Sequence, residues 1–130
     1  MSDFAPRCVA LVRHPSTPAP AVRRIDVELA STPEGGLRLR YFLDGDVNGI
    51  VLPATVEPRQ ADGLWQHTCF EAFIGGQGSR AYCEFNFSPS SQWAAYGFTS
   101  YREGMAPLEH VLPPQVATSI TDDRIALEAV

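Results

Sequence analysis

From Arg24 onward the chain repeatedly alternates apolar and polar side chains with a period of two. Arg24-Ile25-Asp26-Val27-Glu28-Leu29-Ala30 sends Ile25, Val27 and Leu29 to one side and charge to the other, the signature of a half-buried β-strand. Pro33-Glu34-Gly35-Gly36 interrupts the pattern, residues 37–43 resume it, and Asp44-Gly45-Asp46 ends it. Two alternating runs across a short Gly-rich turn predict an antiparallel hairpin. Residues 67–74 and 81–88, separated by Gly75-Gly76-Gln77-Gly78, predict a second hairpin, with residues 93–98 returning beside it. Residues 116–120 and 124–130 predict a last pair of strands around Asp122-Asp123.

The intervening stretches read as connectors. His14-Pro15-Ser16-Thr17-Pro18-Ala19-Pro20 is a stiff extended segment, Ile50-Val51-Leu52 stops at Pro53 before a polar loop through Asp62-Gly63, and residues 102–114 are irregular. Proline and glycine cluster in these places, as turn chemistry requires. No segment keeps a helical period over the length a helix needs. Short strands at regular spacing therefore predict one all-β domain, an antiparallel sandwich or barrel spanning residues 1–130. Alternation still runs when the sequence reaches Val130, which suggests a final strand with an exposed edge able to pair with a partner chain or a second copy.

Composition narrows the function classes. The chain has 130 residues and a net charge of −5, and its ten basic residues, all arginine, are scattered. A phosphate backbone or an anionic membrane surface would be repelled, so neither nucleic acid nor membrane is an expected partner. No run approaches the roughly 20 apolar residues that span a bilayer. The short apolar patch from Val9 to Val12, between Arg7 and Arg13, is too brief for a secretory leader, so a cytoplasmic location is expected. Cys8, Cys69 and Cys83 are an odd set, which argues against a disulfide framework, although Cys69 and Cys83 fall in neighbouring predicted strands.

Candidate chemistry concentrates in Leu64-Trp65-Gln66-His67-Thr68-Cys69-Phe70-Glu71-Ala72-Phe73-Ile74. In a strand His67, Cys69, Glu71 and Phe73 share one face, while in the next strand Tyr82, Glu84, Asn86 and Ser88 do so. Glu71 and Glu84 have the residue types of a glycosidase acid/base pair, but alternating polar side chains more often form a solvated face or a recognition surface. Trp65 and Trp93 favour recognition, because sugar sites combine a flat ring with carboxylates and amides. His67, Cys69, Glu71 and Cys83 hold ligand atoms for a metal, but no CxxC or HxxxH spacing supports one. Met105 with His67, His110 or His14 would make an axial pair for haem, held non-covalently because no CxxCH motif is present. Ser88-Pro89-Ser90-Ser91 lacks the GxSxG turn, and Gly75-Gly76-Gln77-Gly78 lacks the lysine of a phosphate loop; both read as turns.

The run from Leu64 to Phe73, with Tyr82-Cys83-Glu84-Phe85-Asn86-Phe87-Ser88-Pro89, Gln92-Trp93-Ala94-Ala95-Tyr96 and Tyr101-Arg102-Glu103-Gly104-Met105, resembles the bacterial DOMON-like family. The family is similar to family-nine carbohydrate-binding modules and, more distantly, to haem-binding cytochrome domains. The resemblance implies an antiparallel jelly-roll β-sandwich that binds a saccharide or similar polar ligand and is not an enzyme. It implies a stacking role for Trp65, a carboxylate role for Glu71, polar roles for Glu84 and Asn86, and a looser role for Arg80 beside the turn. No metal is implied, and haem stands as the alternative cofactor. Relatives continue past the position of Val130 with strands that supply a second aromatic ring, so the resemblance implies a sandwich incomplete at its C-terminus.

Overall fold

A computed structural model describes residues 5–108 and 112–130. It is all-β, with two antiparallel sheets, the composition of a β-sandwich. The strands among the described residues are β1 (Arg7–Ala10), β2 (Val22–Ser31), β3 (Leu37–Gly45), β4 (Phe70–Gly75), β5 (Tyr82–Phe87), β6 (Trp93–Phe98), β7 (Ala106–Pro107), β8 (Val116–Ile120) and β9 (Arg124–Ala129). Two compact units divide the chain, each carrying one sheet: Met1–Val51 with Gln115–Val130, and Leu52–Pro114. Among the described residues no helix is long and apolar enough to cross a membrane.

The first unit holds a sheet of order β1-β2-β3-β9-β8. The expected hairpins form: Val27 stands opposite Tyr41 and Leu29 opposite Leu39, and Thr118 opposite Leu127. Because paired residues share a face, the rows Val27–Tyr41–Leu127 and Ile25–Leu43–Ile125 line up across three strands. These rows carry the buried apolar side chains, with Tyr41, Leu43, Ile125 and Leu127 almost wholly covered. The opposite face carries the charges. Arg40 Nε lies 2.9 Å from Glu128 Oε2 with Glu28 on its other side, and Arg124 Nε lies 2.7 Å from Asp44 Oδ1. The Arg124 hydrogen bonds hold the Asp44 carboxyl below its usual range. Exposed pairs of this kind contribute little to stability, but they set strand register, since Arg40 faces Glu28 and Glu128 only when the strands pair as observed.

Two expectations change here. The first half of the Val9–Val12 patch, Val9 and Ala10, belongs to the exposed edge strand β1, which pairs with β2. The last strand is not an edge: β9 lies between β3 and β8, with both sides taken. Two strands close on it, the one preceding it through the Asp122-Asp123 turn and the distant β3, so the free edges of this sheet are β1 and β8.

The second unit is a meander of order β4-β5-β6-β7. One face carries Phe70, Phe87 and Trp93 in a single cross-strand row, all buried, with Ala95. Trp93 is thus a core residue. The tight Ser88–Gln92 turn joins β5 to β6; Ser90 Oγ donates to Ser88 Oγ at 2.8 Å, and the backbone N–H of Ser88 to the Gln92 carbonyl. The other face of this meander carries the residues with chemistry.

Candidate functional site

Register alone assembles this face. Glu71 pairs with Asn86, which pairs with Ala94; Phe73 pairs with Glu84, which pairs with Tyr96; Gly75 pairs with Tyr82, which pairs with Phe98. Three rows follow, running from a carboxylate and an amide, through a carboxylate between two rings, to an aromatic end. Glu71 and Glu84 are diagonal neighbours across the β4–β5 pair, a relation that sets such positions about 7–8 Å apart.

The segment before β4 covers one end of the face. Gly63 adopts φ 73°, left-handed backbone that glycine enters without a Cβ penalty, and turns the chain into a 3-10 turn at Leu64–Gln66. Leu64 is buried in a cluster with Ala94 and Tyr96, against which Ala61, Cys69 and Phe98 pack. Upstream, Trp93 donates to the Arg59 carbonyl and accepts from the Ala61 N–H, stitching this segment to the start of β6. That stitching delivers Asp62 to the Tyr96 hydroxyl, which donates to Asp62 Oδ1 at 2.7 Å. Burial and the Asp62 carboxylate push the Tyr96 phenol up to about 12.

At the other end, Tyr82 stacks on Phe98 with ring centroids 4.8 Å apart, and Phe73 tilts against Tyr82 at 6.1 Å. The backbone N–H of Arg102 donates to the Tyr82 hydroxyl at 3.0 Å and holds the ring in place.

Glu71, Glu84 and Asn86 therefore meet on one face, as the period-two reading places them. Asn86 is wholly buried (0% exposed), and neither its Oδ1 nor its Nδ2 has a hydrogen-bond partner among the described residues. Leaving a buried polar group unpaired costs about 1–3 kcal/mol, so an amide orphaned at both atoms is a feature in need of a reason. Trp65 lies on the 3-10 turn rather than in a strand. It is 61% exposed, next to the buried Leu64 that anchors the turn. Arg80 is exposed in the β4–β5 turn, outside the strands.

The strand begins at Phe70 rather than His67, because the anchored 3-10 turn occupies the preceding residues. His67 is consequently exposed and off the strand face. Cys69 Sγ lies 3.9 Å from Glu71 Oε1, whereas Cys83 alternates with Glu84 and stands opposite Ile74 on the other face. The two thiols are free, and their offset of about five residues, roughly 17 Å of strand, is far beyond disulfide reach. Burial and the carboxylates of Glu71 and Glu84 push the Cys69 thiol up to about 12, so it stays protonated and unreactive. No three His, Cys, Asp or Glu side chains converge as a metal site among the described residues.

For haem, Met105 is 55% exposed and His67 is also exposed, so neither sits in an enclosed apolar crevice. His14 Nδ1 lies 2.9 Å from Ser16 Oγ, and His110 lies outside the described residues. Among the described residues, Met105, His67 and His14 do not line a haem pocket.

Sequence reasoning missed Asp62, Tyr96 and Phe98. The Asp62–Tyr96 pair spans 34 positions, so no local pattern signals it. Phe98 sits at the end of an alternation and was readable as a face partner of Tyr82 only once register was known.

Glu71 is exposed by surface area, yet enough protein surrounds its carboxyl that desolvation, then Glu84, raises its pKa. A carboxylate raised on folding favours the folded state only while it is protonated. Stability is lost as pH climbs from the ordinary value of 4.5 through the raised one. Glu71→Gln is therefore expected to be more stable than the parent at neutral pH, the difference vanishing in acid. Urea denaturation at acidic and neutral pH checks this; an equal gain at both would remove the electrostatic explanation.

No protein-family model, curated protein or solved structure matches this chain.

Proposed function

We propose that this chain is a non-catalytic binding domain for a saccharide or a similar polar small molecule, taken up on the β4–β5–β6 face. The orphaned Asn86 amide carries this reading. It is buried on the same face as two carboxylates and a stacked pair of rings, and a ligand hydroxyl and carbonyl satisfy a donor and an acceptor together. Glu71 and Glu84 accept from hydroxyls, and the exposed Trp65 indole stacks on an apolar ring face at the rim. This division of labour is the one the DOMON-like and family-nine resemblance implies, and kinship to those families is part of the proposal. The unreactive Cys69 thiol offers no nucleophile.

Intrinsic fluorescence during titration with mono- and disaccharides tests the reading, because Trp93 is buried and Trp65 reports on the surface. A saturable shift is expected with at least one sugar. Trp65→Ala should abolish it, and Glu84→Gln should weaken it by about tenfold, the worth of one hydrogen bond to a charged group. Silence at millimolar concentrations across the panel sinks the proposal. Hydrolysis of an aryl glycoside that is lost in Glu84→Gln would make the face an active site instead.

A further inference from the structure

The first unit gathers arginines that the sequence scatters. β2 opens on a bulge: Val22 stands opposite Gly45 and Arg24 opposite Asp44, so the ladder leaves Arg23 as an extra residue. A Cβ at Gly45 would run into the Ala21 carbonyl oxygen, which instead accepts from the Asp46 N–H at 2.7 Å. Successive strand residues ordinarily face opposite sides, and a bulge breaks that alternation and re-aims a side chain. Here Arg23 and Arg24 line one cavity of about 570 Å³, inside the size range of small-molecule sites.

The chain before β2 supplies the other side. The Leu11 N–H donates to the Ile25 carbonyl, the Thr17 N–H closes a turn on the His14 carbonyl, and Pro15, Pro18 and Pro20 stiffen the return. Arg13 Nη2 donates to the Val22 carbonyl at 2.6 Å, which fixes a third guanidinium on the cavity that it lines. His14, also in the lining, accepts at Nδ1 from the Ser16 N–H at 3.2 Å, so Nε2 carries the ring proton as a donor. Leu11, Ala19, Val22 and Ile25 add an apolar wall.

Exposed arginines are most often only solvated, so the charge balance decides. In a chain of net charge −5, three of the ten arginines line this cavity and, among the described residues, no carboxylate does. Asp26 holds Arg24 at 2.8 Å. Asp44 is bonded to Arg124 at 2.7 Å and feels Arg23 and Arg24 only through space. Asp46, Asp122 and Asp123 belong to the β3 and β9 side, away from the segment before β2. Arg13 and Arg23 join no ion pair among the described residues. Two guanidinium charges thus stay unmatched, one more than a carboxylate neutralises and about what a phosphate monoester carries. Guanidinium forks suit its oxygens and stack on aromatic rings. We propose that this cavity, on the other sheet from the saccharide face, binds a phosphate monoester carried on an apolar or aromatic body.

Calorimetric titration of the full chain with phenyl phosphate, inorganic phosphate and benzoate, slightly above neutral pH, tests this. At that pH the monoester carries close to two charges, benzoate carries a single one, and inorganic phosphate lacks the ring. Phenyl phosphate is expected to bind at least about tenfold more tightly than either. Arg23→Gln, at an exposed bulge position, should weaken it by about tenfold or more. Arg59→Gln removes the same charge from an exposed position outside the cavity and should change the affinity by less than about twofold. Raised sodium chloride should weaken binding to the parent chain, which reads the charge match even if the Arg23 variant does not fold. Benzoate or inorganic phosphate binding as tightly as phenyl phosphate would overturn the inference. So would no binding at millimolar concentrations, equal affinities in the two variants, or an affinity indifferent to salt.

Discussion

Replacing Asn86 by leucine is expected to stabilise the protein by about 1–3 kcal/mol and at the same time abolish ligand binding. Leucine branches at the same carbon, so it fills the space of the amide with apolar atoms and removes two buried groups that no described residue satisfies. An asparagine held only by packing would behave in the opposite way, because removing it would open or strain the core. The combination of higher stability with lost function is the mark of a side chain kept for a ligand. Urea denaturation and sugar titration of the same sample read both halves. Leucine is slightly larger than asparagine, so Asn86→Val separates overpacking from the polar effect: a gain with valine alone still supports the argument. Loss of stability in both variants, with binding intact, would make Asn86 a structural residue and leave the proposed site without its main support.

Leu127→Ala is expected to cost about 2–5 kcal/mol, the range for a fully buried large-to-small change. Leu127 is 1% exposed on β9 and stands between Tyr41 of β3 and Thr118 of β8. Its loss leaves a cavity in the row that unites three strands, and a domain of this size has only about 5–15 kcal/mol in total. Ile120→Ala is the internal control. That side chain is 50% exposed at the end of the edge strand β8, where a change is worth at most about 0.5 kcal/mol. Chemical denaturation should lower the midpoint for Leu127→Ala with the slope unchanged, since the surface exposed on unfolding is the same. Equal costs for the two substitutions would mean that β9 is not the interior strand described here.

Much of the β4–β5–β6 face was legible before any coordinates. Alternation places Glu84 and Asn86 on one side of β5 and Phe85 and Phe87 on the other, because successive side chains of a strand must point to opposite faces. The Gly75–Gly78 turn then brings β4 back alongside, so Glu71 was bound to be near them. The limits of this reasoning show at His67 and Cys69. Extending the alternation three residues too far toward the N-terminus placed His67 on the face, whereas the left-handed Gly63 and the burial of Leu64 hold that stretch in a 3-10 turn. The short β1 was not legible either, since all four of its residues are exposed and it is a strand only because β2 runs long enough to pair with it.

The sequence by itself determined that the chain is built of strands, where most of them turn, and which side chains of each share a face. These are consequences of local stereochemistry, readable at two-residue spacing. Only the tertiary structure decided which strands are neighbours: that the last one lies inside its sheet, that Cys69 and Cys83 face opposite ways, and that Asp62 meets Tyr96. It alone showed Trp93 buried and Trp65 exposed, and the Asn86 amide without a hydrogen-bond partner among the described residues. Pairing joins residues tens of positions apart and is selected by burial summed over a whole sheet, which no local pattern encodes.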